Sequence, residues 1–152
     1  MNERFRDYVE SLDEAWQKLQ AMPPVRASEV PNDTPVGGVY LFSENGVNLY
    51  AGRTKRRIAS RIRFHFCKAD DCPFAWLLAR EATGKKATYT PVGSRYALLG
   101  DPSFEAEYER GKQRIRNMQV RYVYEHDPWK QALLEMYVAV AAQARYNDFD
   151  TH

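Results

Sequence analysis

The chain has 152 residues, enough for one domain with a sizeable core, and its 44% apolar and 28% charged residues are ordinary for a globular protein. The net charge is only +2, so any affinity for nucleic acid must come from a local basic patch. The sequence shows no apolar run that spans a membrane and no signal-peptide pattern, and we therefore expect an intracellular, cytoplasmic protein.

The N-terminal segment predicts an amphipathic helix over residues 3–21, because apolar side chains recur at every third or fourth position. Asn2 is a suitable cap, and Pro23-Pro24 would end the helix. We expect the apolar stripe to pack on a sheet; contact with a partner protein, or with a second copy in a homodimer, is the alternative. Residues 23–37 are rich in proline and predict a connector without regular structure.

Two short apolar and aromatic runs flank Asn45-Gly46 and predict a β-hairpin, since this dipeptide tolerates the positive φ angles of a type I′ turn. Gly52 marks a point where the chain leaves the sheet or where the backbone approaches another group closely.

After the hairpin, Thr54 can cap a helix. On that helix Arg57, Arg61 and His65 would share one face through their four-residue spacing, and Ile58 and Ile62 would form the buried stripe.

The remaining chain predicts a short buried helix over residues 73–82, a loop over 85–103, a charged helix over 103–116 and a strand over 118–125. Asp127-Pro128 then begins a helix that is apolar nearly all round and is interrupted by Glu135. A buried carboxylate is costly unless it is paired, hydrogen-bonded or bound to a metal; in the simpler alternative, Glu135 marks a narrow wet side of this helix. These elements predict an α+β fold with a three-stranded, mainly antiparallel sheet flanked by helices.

The two cysteines, Cys67 and Cys72, lie five positions apart. This spacing, without further cysteines or clustered histidines, is poor evidence for zinc. We expect two free thiols, with a disulfide as the alternative.

Several of these residues, taken in order, resemble the GIY-YIG nuclease family. Gly38-Val39-Tyr40 corresponds to the first motif and Tyr50-Ala51-Gly52 to the second; Arg61, Glu135 and Asn147 correspond to the family's arginine, carboxylate and asparagine. The resemblance implies a single nuclease domain over residues 1–152. It comprises an N-terminal helix at 1–22, a connector at 23–37 and a core at 38–152 that departs from the family by an insertion at about 83–117.

The resemblance implies a metal-dependent endonuclease that cuts DNA with Mg²⁺ or Mn²⁺ held by Glu135. Arg61 would neutralise charge on the phosphate, and Asn147 would support the site by hydrogen bonding. Tyr40, Tyr50 or His65 would serve as general base, and the sequence leaves open which of the three does so.

A crowded basic segment predicts contacts with the phosphates of DNA. Its members are Arg53, Lys55, Arg56, Arg57 and Arg63. A second hypothesis is a catalytically silent module of the same fold that binds nucleic acid or a protein.

Overall fold

The computed structural model describes residues 1–87 and 91–147. In these ranges it contains six α-helices and one four-stranded antiparallel sheet, and the predicted α+β class is therefore confirmed. The described residues form two compact units: residues 1–61 together with 118–147, and residues 62–87 together with 91–117. The second unit is longer than the insertion predicted at about 83–117.

The helices and strands position most of the candidate site residues. The helices are α1 (Glu3–Ala21), α2 (Ile58–Phe64), α3 (Pro73–Thr83), α4 (Arg95–Leu99), α5 (Pro102–Asn117) and α6 (Pro128–Ala141). The strands are β1 (Val25–Arg26), β2 (Val36–Glu44), β3 (Val47–Arg57) and β4 (Gln119–Tyr124), and a short 3₁₀ helix covers Ala27–Glu29.

The sheet belongs to the first unit and has the order β1-β4-β2-β3, so β2 is internal and β3 lies at one edge. The predicted turn at Asn45-Gly46 is confirmed: both residues have positive φ angles, 51° and 78°, and Glu44 pairs with Val47 across the turn. The hairpin places Tyr40 opposite Gly52 and Phe42 opposite Tyr50.

The prediction of a three-stranded sheet is wrong by one short strand. Val25 and Arg26 pair with Val120 and Gln119 of β4. The expectation of a connector without regular structure is therefore also wrong for residues 25–29. A two-residue strand is too short to show a hydrophobic periodicity in the sequence. It forms only because it can pair with the edge of β4, which is distant in the sequence.

The hydrophobic core of the first unit lies between one face of the sheet and the helices α1 and α6. Val39 and Leu41 of the sheet pack with Leu12 of α1 and with Leu134 and Val138 of α6. The prediction that the stripe of α1 packs on the sheet is confirmed for Leu12 and Leu19, whereas Phe5 and Val9 of the same stripe are exposed. Asn2 caps this helix by accepting the backbone N–H of Phe5.

The predicted helix after Thr54 begins later than expected. β3 continues through Arg57, and α2 starts at Ile58. Thr34 supplies the cap instead, since its hydroxyl oxygen accepts the backbone N–H of Ala59 at 2.8 Å. The predicted common face of Arg57, Arg61 and His65 is therefore wrong: Arg57 ends the strand and His65 follows the helix.

The second unit has an aromatic core between α3 and α5. The ring of Trp76 lies 4.9 Å from that of Phe104 and 5.5 Å from that of Tyr108, between ring centroids. The helices predicted at 73–82 and 103–116 are confirmed as α3 and α5. The loop predicted over 85–103 contains α4, which Ser94 caps by accepting the N–H of Ala97.

None of the helices within residues 1–87 and 91–147 combines the length and the apolar character needed to cross a membrane.

Candidate active site

Tyr40 lies on β2 with its ring against the backbone of Gly52. The side chain is 1% exposed, and a Cβ atom added at Gly52 would lie 2.4 Å from the phenol oxygen. Such a contact is far below van der Waals distance, so only glycine fits opposite this ring. The close approach predicted at Gly52 is confirmed.

The second tyrosine, Tyr50, lies on β3, half-buried and across the hairpin from Phe42. Burial raises the pKa of its phenol to about 12; the charge of Glu135 adds to this effect and Arg61 opposes it. Burial likewise raises the pKa of the Tyr40 phenol, and Arg61 lowers it by charge and by hydrogen bonding. Both phenols are therefore protonated at neutral pH, and the Tyr40 oxygen accepts the hydrogen bond from Arg61.

Arg61 lies in the middle of α2. Its permanent positive charge acts on both tyrosines and lowers the pKa of each phenol. α2 follows β3 without an intervening loop, so the helix begins directly beside the hairpin that carries both phenols. The position of Arg61 thus depends on where β3 stops.

Glu135 projects from α6, and its Oε2 accepts a hydrogen bond from the Arg53 Nε–H at 3.0 Å, which also forms an ion pair. Burial raises the pKa of the Glu135 carboxyl, whereas Arg53, through charge and hydrogen bonding, and then Arg61 lower it. The net direction is upward, so two nearby cations do not fully offset the loss of water around this carboxylate.

These four side chains form one electrostatically connected group. The pKa of Tyr40 responds to Tyr50, Arg61 and Glu135, and the pKa of Glu135 responds to Arg61 in addition to Arg53. The structure therefore brings together Tyr40, Tyr50, Arg61 and Glu135, which the sequence places up to 95 positions apart (40 to 135).

Asn147 holds the outer edge of β3 rather than pointing into solution. Its Oδ1 accepts the Ala51 N–H at 2.7 Å, and its Nδ2 donates to the Ala51 carbonyl at 2.8 Å. The neighbouring Tyr146 N–H donates to the Leu49 carbonyl at 2.8 Å. The side-chain amide thus replaces the missing neighbour strand beside Tyr50, and the catalytic supporting role of Asn147 stays a prediction.

The predicted DNA-contact residues occupy different elements. Arg53, Lys55, Arg56 and Arg57 are exposed on the C-terminal half of β3, whereas Arg63 lies on α2 in the second unit. Arg53 is engaged by Glu135, and Arg57 donates to the Thr34 carbonyl at 2.6 Å. Lys55 and Arg56 remain the best placed of the strand residues for a phosphate.

His65 is 0% exposed, in a turn of the second unit that follows α2. A side chain without accessible surface cannot exchange a proton with a water from solution in this conformation. Its role as general base stays a prediction that its burial does not favour.

A divalent metal ion would find a sparse donor set here. Within residues 1–87 and 91–147, no group of three or more His, Cys, Asp or Glu is placed to hold a metal. Glu135 offers one carboxylate beside two phenol oxygens, which fits Mg²⁺ or Mn²⁺ only if phosphate and water supply most of the ligands. Before it could bind a metal ion, the Glu135 carboxylate would also have to separate from the Arg53 guanidinium.

Sequence reasoning missed two contacts that shape this site. The pair of Arg53 and Glu135 joins residues 82 positions apart, and the cap from Thr34 to Ala59 joins residues 25 positions apart. The basic run around Arg53 predicts a contact with DNA, and no local pattern indicates that this side chain reaches Glu135 on α6.

Comparison with known proteins adds no family to this geometry: no family model, no curated protein and no solved structure matches the chain.

Asn147→Ala tests the edge contact. Removing both hydrogen bonds to Ala51 should lower the free energy of unfolding by about 1–3 kcal/mol. Asn117→Ala is the matched control: its amide donates to the Gln113 carbonyl at an exposed position, and the change should stay within about 0.5 kcal/mol. Urea unfolding of both variants measures the difference, and equal losses would contradict the role given to Asn147.

Glu135→Gln should stabilise the folded protein at neutral pH. The folded state raises the pKa of this carboxyl, so stability is lost as pH rises through the ordinary glutamate value and the higher folded value. The advantage of the variant should therefore disappear in acid, where Glu135 is protonated. Urea midpoints between acid and neutral pH check this.

Glu14→Gln provides the comparison for that experiment. Glu14 also pairs with a cation, Lys18, at 3.0 Å, but both side chains are largely exposed. Its substitution should leave the pH profile nearly unchanged. A Glu135→Gln protein that is less stable than the wild type at neutral pH would show that the ion pair outweighs burial.

Proposed function

We propose that this protein is an endonuclease of the GIY-YIG type that hydrolyses phosphodiester bonds in DNA with the help of Mg²⁺ or Mn²⁺. The observation that carries the proposal is the convergence of two phenols, one guanidinium and one carboxylate at the hairpin formed by β2 and β3. This combination offers hydrogen-bond donors, a permanent positive charge and an oxygen ligand, which are the components that phosphate chemistry uses.

In the proposed mechanism Arg61 binds the scissile phosphate, since its planar fork matches two phosphoryl oxygens. Negative charge that develops on these oxygens is then neutralised by a group that is already in place. Tyr40 is fixed between Gly52 and Arg61, so its phenol oxygen is a rigid acceptor that positions the guanidinium.

Tyr50 is the more accessible phenol, and a water from solution therefore reaches it more easily than Tyr40. With a pKa raised to about 12 it orients the nucleophile by hydrogen bonding, unless further positive charge lowers its pKa. A metal ion held by Glu135 would supply that charge and would act as a Lewis acid towards the phosphate.

The basic end of β3 supports DNA as the substrate. Lys55 and Arg56 are exposed on the strand that carries Tyr50, so a DNA backbone bound along this strand would bring a phosphate towards Arg61.

A second copy of the chain or a partner protein would find exposed apolar side chains on α1, where Phe5 and Val9 are 45% and 38% exposed.

A specific observation favours the alternative, a silent module that binds nucleic acid or a protein. The Glu135 carboxylate is already neutralised by Arg53, a pair that needs no metal. If this pair persists in the presence of DNA and Mg²⁺, Glu135 is a structural contact and the chain binds without cutting.

The function is tested by incubating supercoiled plasmid with the protein and Mg²⁺ or Mn²⁺, with and without a chelator. We expect metal-dependent nicking by the wild type, and loss of nicking in Glu135→Gln with DNA binding retained. Because Glu135→Gln is expected to fold well, its inactivity would not reflect unfolding. Absence of metal-dependent nicking by the wild type on supercoiled, linear and single-stranded DNA would favour the binding module.

Arg61→Lys separates chemistry from binding. Lysine keeps the charge but loses the two-pronged geometry, so single-turnover cleavage at saturating enzyme should slow by about 10²-fold or more. Arg56→Lys, at an exposed position of the same basic segment, should leave this rate nearly unchanged. The assignment fails if Arg56→Lys abolishes the chemical step while Arg61→Lys leaves it intact.

A further inference from the structure

The two cysteines of the chain meet at a single oxygen atom in the second unit. The Sγ of Cys67 donates to the Phe64 carbonyl at 3.2 Å, and the Sγ of Cys72 donates to the same carbonyl at 2.9 Å. Because both sulfur atoms contact the same oxygen, they lie close to each other, but they form no disulfide bond in this structure.

The turn that carries these thiols is held by Tyr108 of α5. The Tyr108 hydroxyl donates to the Ala69 carbonyl at 2.8 Å and accepts the Cys72 N–H at 3.1 Å. Cys67 and Cys72 are thus kept close together by contacts on both sides of Ala69, with their sulfurs on one carbonyl oxygen. A disulfide would require these sulfurs to approach to about 2 Å.

The two thiols differ in access. Cys67 is half-buried, whereas Cys72 has no exposed surface. A small reagent from solution therefore meets Cys67 first, and Cys72 is available only to a sulfur that is already within the turn.

Lys112 of α5 provides a positive charge near Cys72. Its side chain is 3% exposed and its Nζ lies 4.4 Å from the centroid of the Tyr108 ring. Burial raises the pKa of the Cys72 thiol and Cys67 adds to this effect, whereas the Tyr108 hydrogen bond and Lys112 lower it; the net direction is upward.

We propose that Cys67 and Cys72 form a reversible, redox-active pair that exchanges with low-molecular-weight disulfides such as glutathione disulfide. Cys67 loses its proton and attacks one sulfur of the reagent; the reagent's disulfide bond breaks, and one glutathione leaves as thiolate and takes up a proton. Cys72 loses its proton and attacks the Cys67 sulfur, which releases the second glutathione. The protein loses two electrons and two protons, and glutathione disulfide is reduced to two thiols.

Oxidation has a structural consequence because both thiols cap α2. Phe64 is the last residue of this helix, and its carbonyl accepts the Cys67 N–H at 3.5 Å in addition to the two thiols. A disulfide has no S–H group, so the Phe64 carbonyl loses both thiol donors when the pair closes.

The exchange is tested on the full chain with glutathione disulfide, followed by intact mass and peptide mapping. The wild type should end as the internal disulfide, without a retained glutathionyl group. Cys72→Ser should stop with one glutathionyl group on Cys67, and Cys67→Ser should react at least about tenfold more slowly, because Cys72 is buried. Reduction by dithiothreitol should restore the wild-type mass.

Three outcomes would overturn the proposal: no reaction of the wild type, a wild type that retains glutathione on Cys67, or equal rates for the two single variants. Circular dichroism confirms that each variant is folded, and Cys72→Ala replaces Cys72→Ser if the serine variant is not. Hydrogen exchange at the amides of residues 64–67 should be faster in the oxidised wild type than in the reduced form. The Cys67→Ser, Cys72→Ser double variant treated in parallel should show no change, and unaltered exchange on oxidation would overturn the capping role.

Discussion

The outer edge of β3 is the constraint on which the first unit depends. An edge strand presents a row of backbone donors and acceptors that must be covered or left to water. Here the segment after α6 covers them: the Tyr146 N–H bonds the Leu49 carbonyl, and the Asn147 amide bonds both backbone groups of Ala51. Because this segment is tied to the strand, α6 lies beside β3, and Glu135 reaches Arg53.

The chain turns back towards β3 through a helix end that needs a left-handed residue. Gln143 has a φ of 52° and the Ala144 N–H bonds the Ala139 carbonyl, the arrangement of a Schellman motif. Glycine usually occupies this position, so the strain accepted at Gln143 is one cost of closing the edge. The same closure places a carboxylate next to the two phenols.

The candidate active site opposes stability at Glu135. Burial raises the pKa of its carboxyl, and the charged form remains costly despite Arg53 and Arg61. Burial also raises the pKa of Tyr40 and Tyr50, without a cost at neutral pH because both phenols stay protonated. Structural positions in a core are normally filled by apolar side chains that carry no such cost. A cluster of perturbed ionisable groups on otherwise well-packed strands is typical of functional sites, although ion pairs that serve structure alone have the same signature.

Local patterns determined much of this protein in advance. The spacing of apolar residues predicted α1, α3, α5 and α6, and Asn45-Gly46 predicted the hairpin turn, because periodicity, caps and turn residues act within a few positions. The sequence also indicated that Gly52 permits a close approach. Tertiary structure alone decided what depends on distant partners: β1 forms on the edge of β4, Thr34 rather than Thr54 caps α2, and Arg53 turns to Glu135. The pKa shifts were also decided by tertiary structure alone. Each shift depends on how far the group is removed from water, and residues distant in the sequence determine this burial.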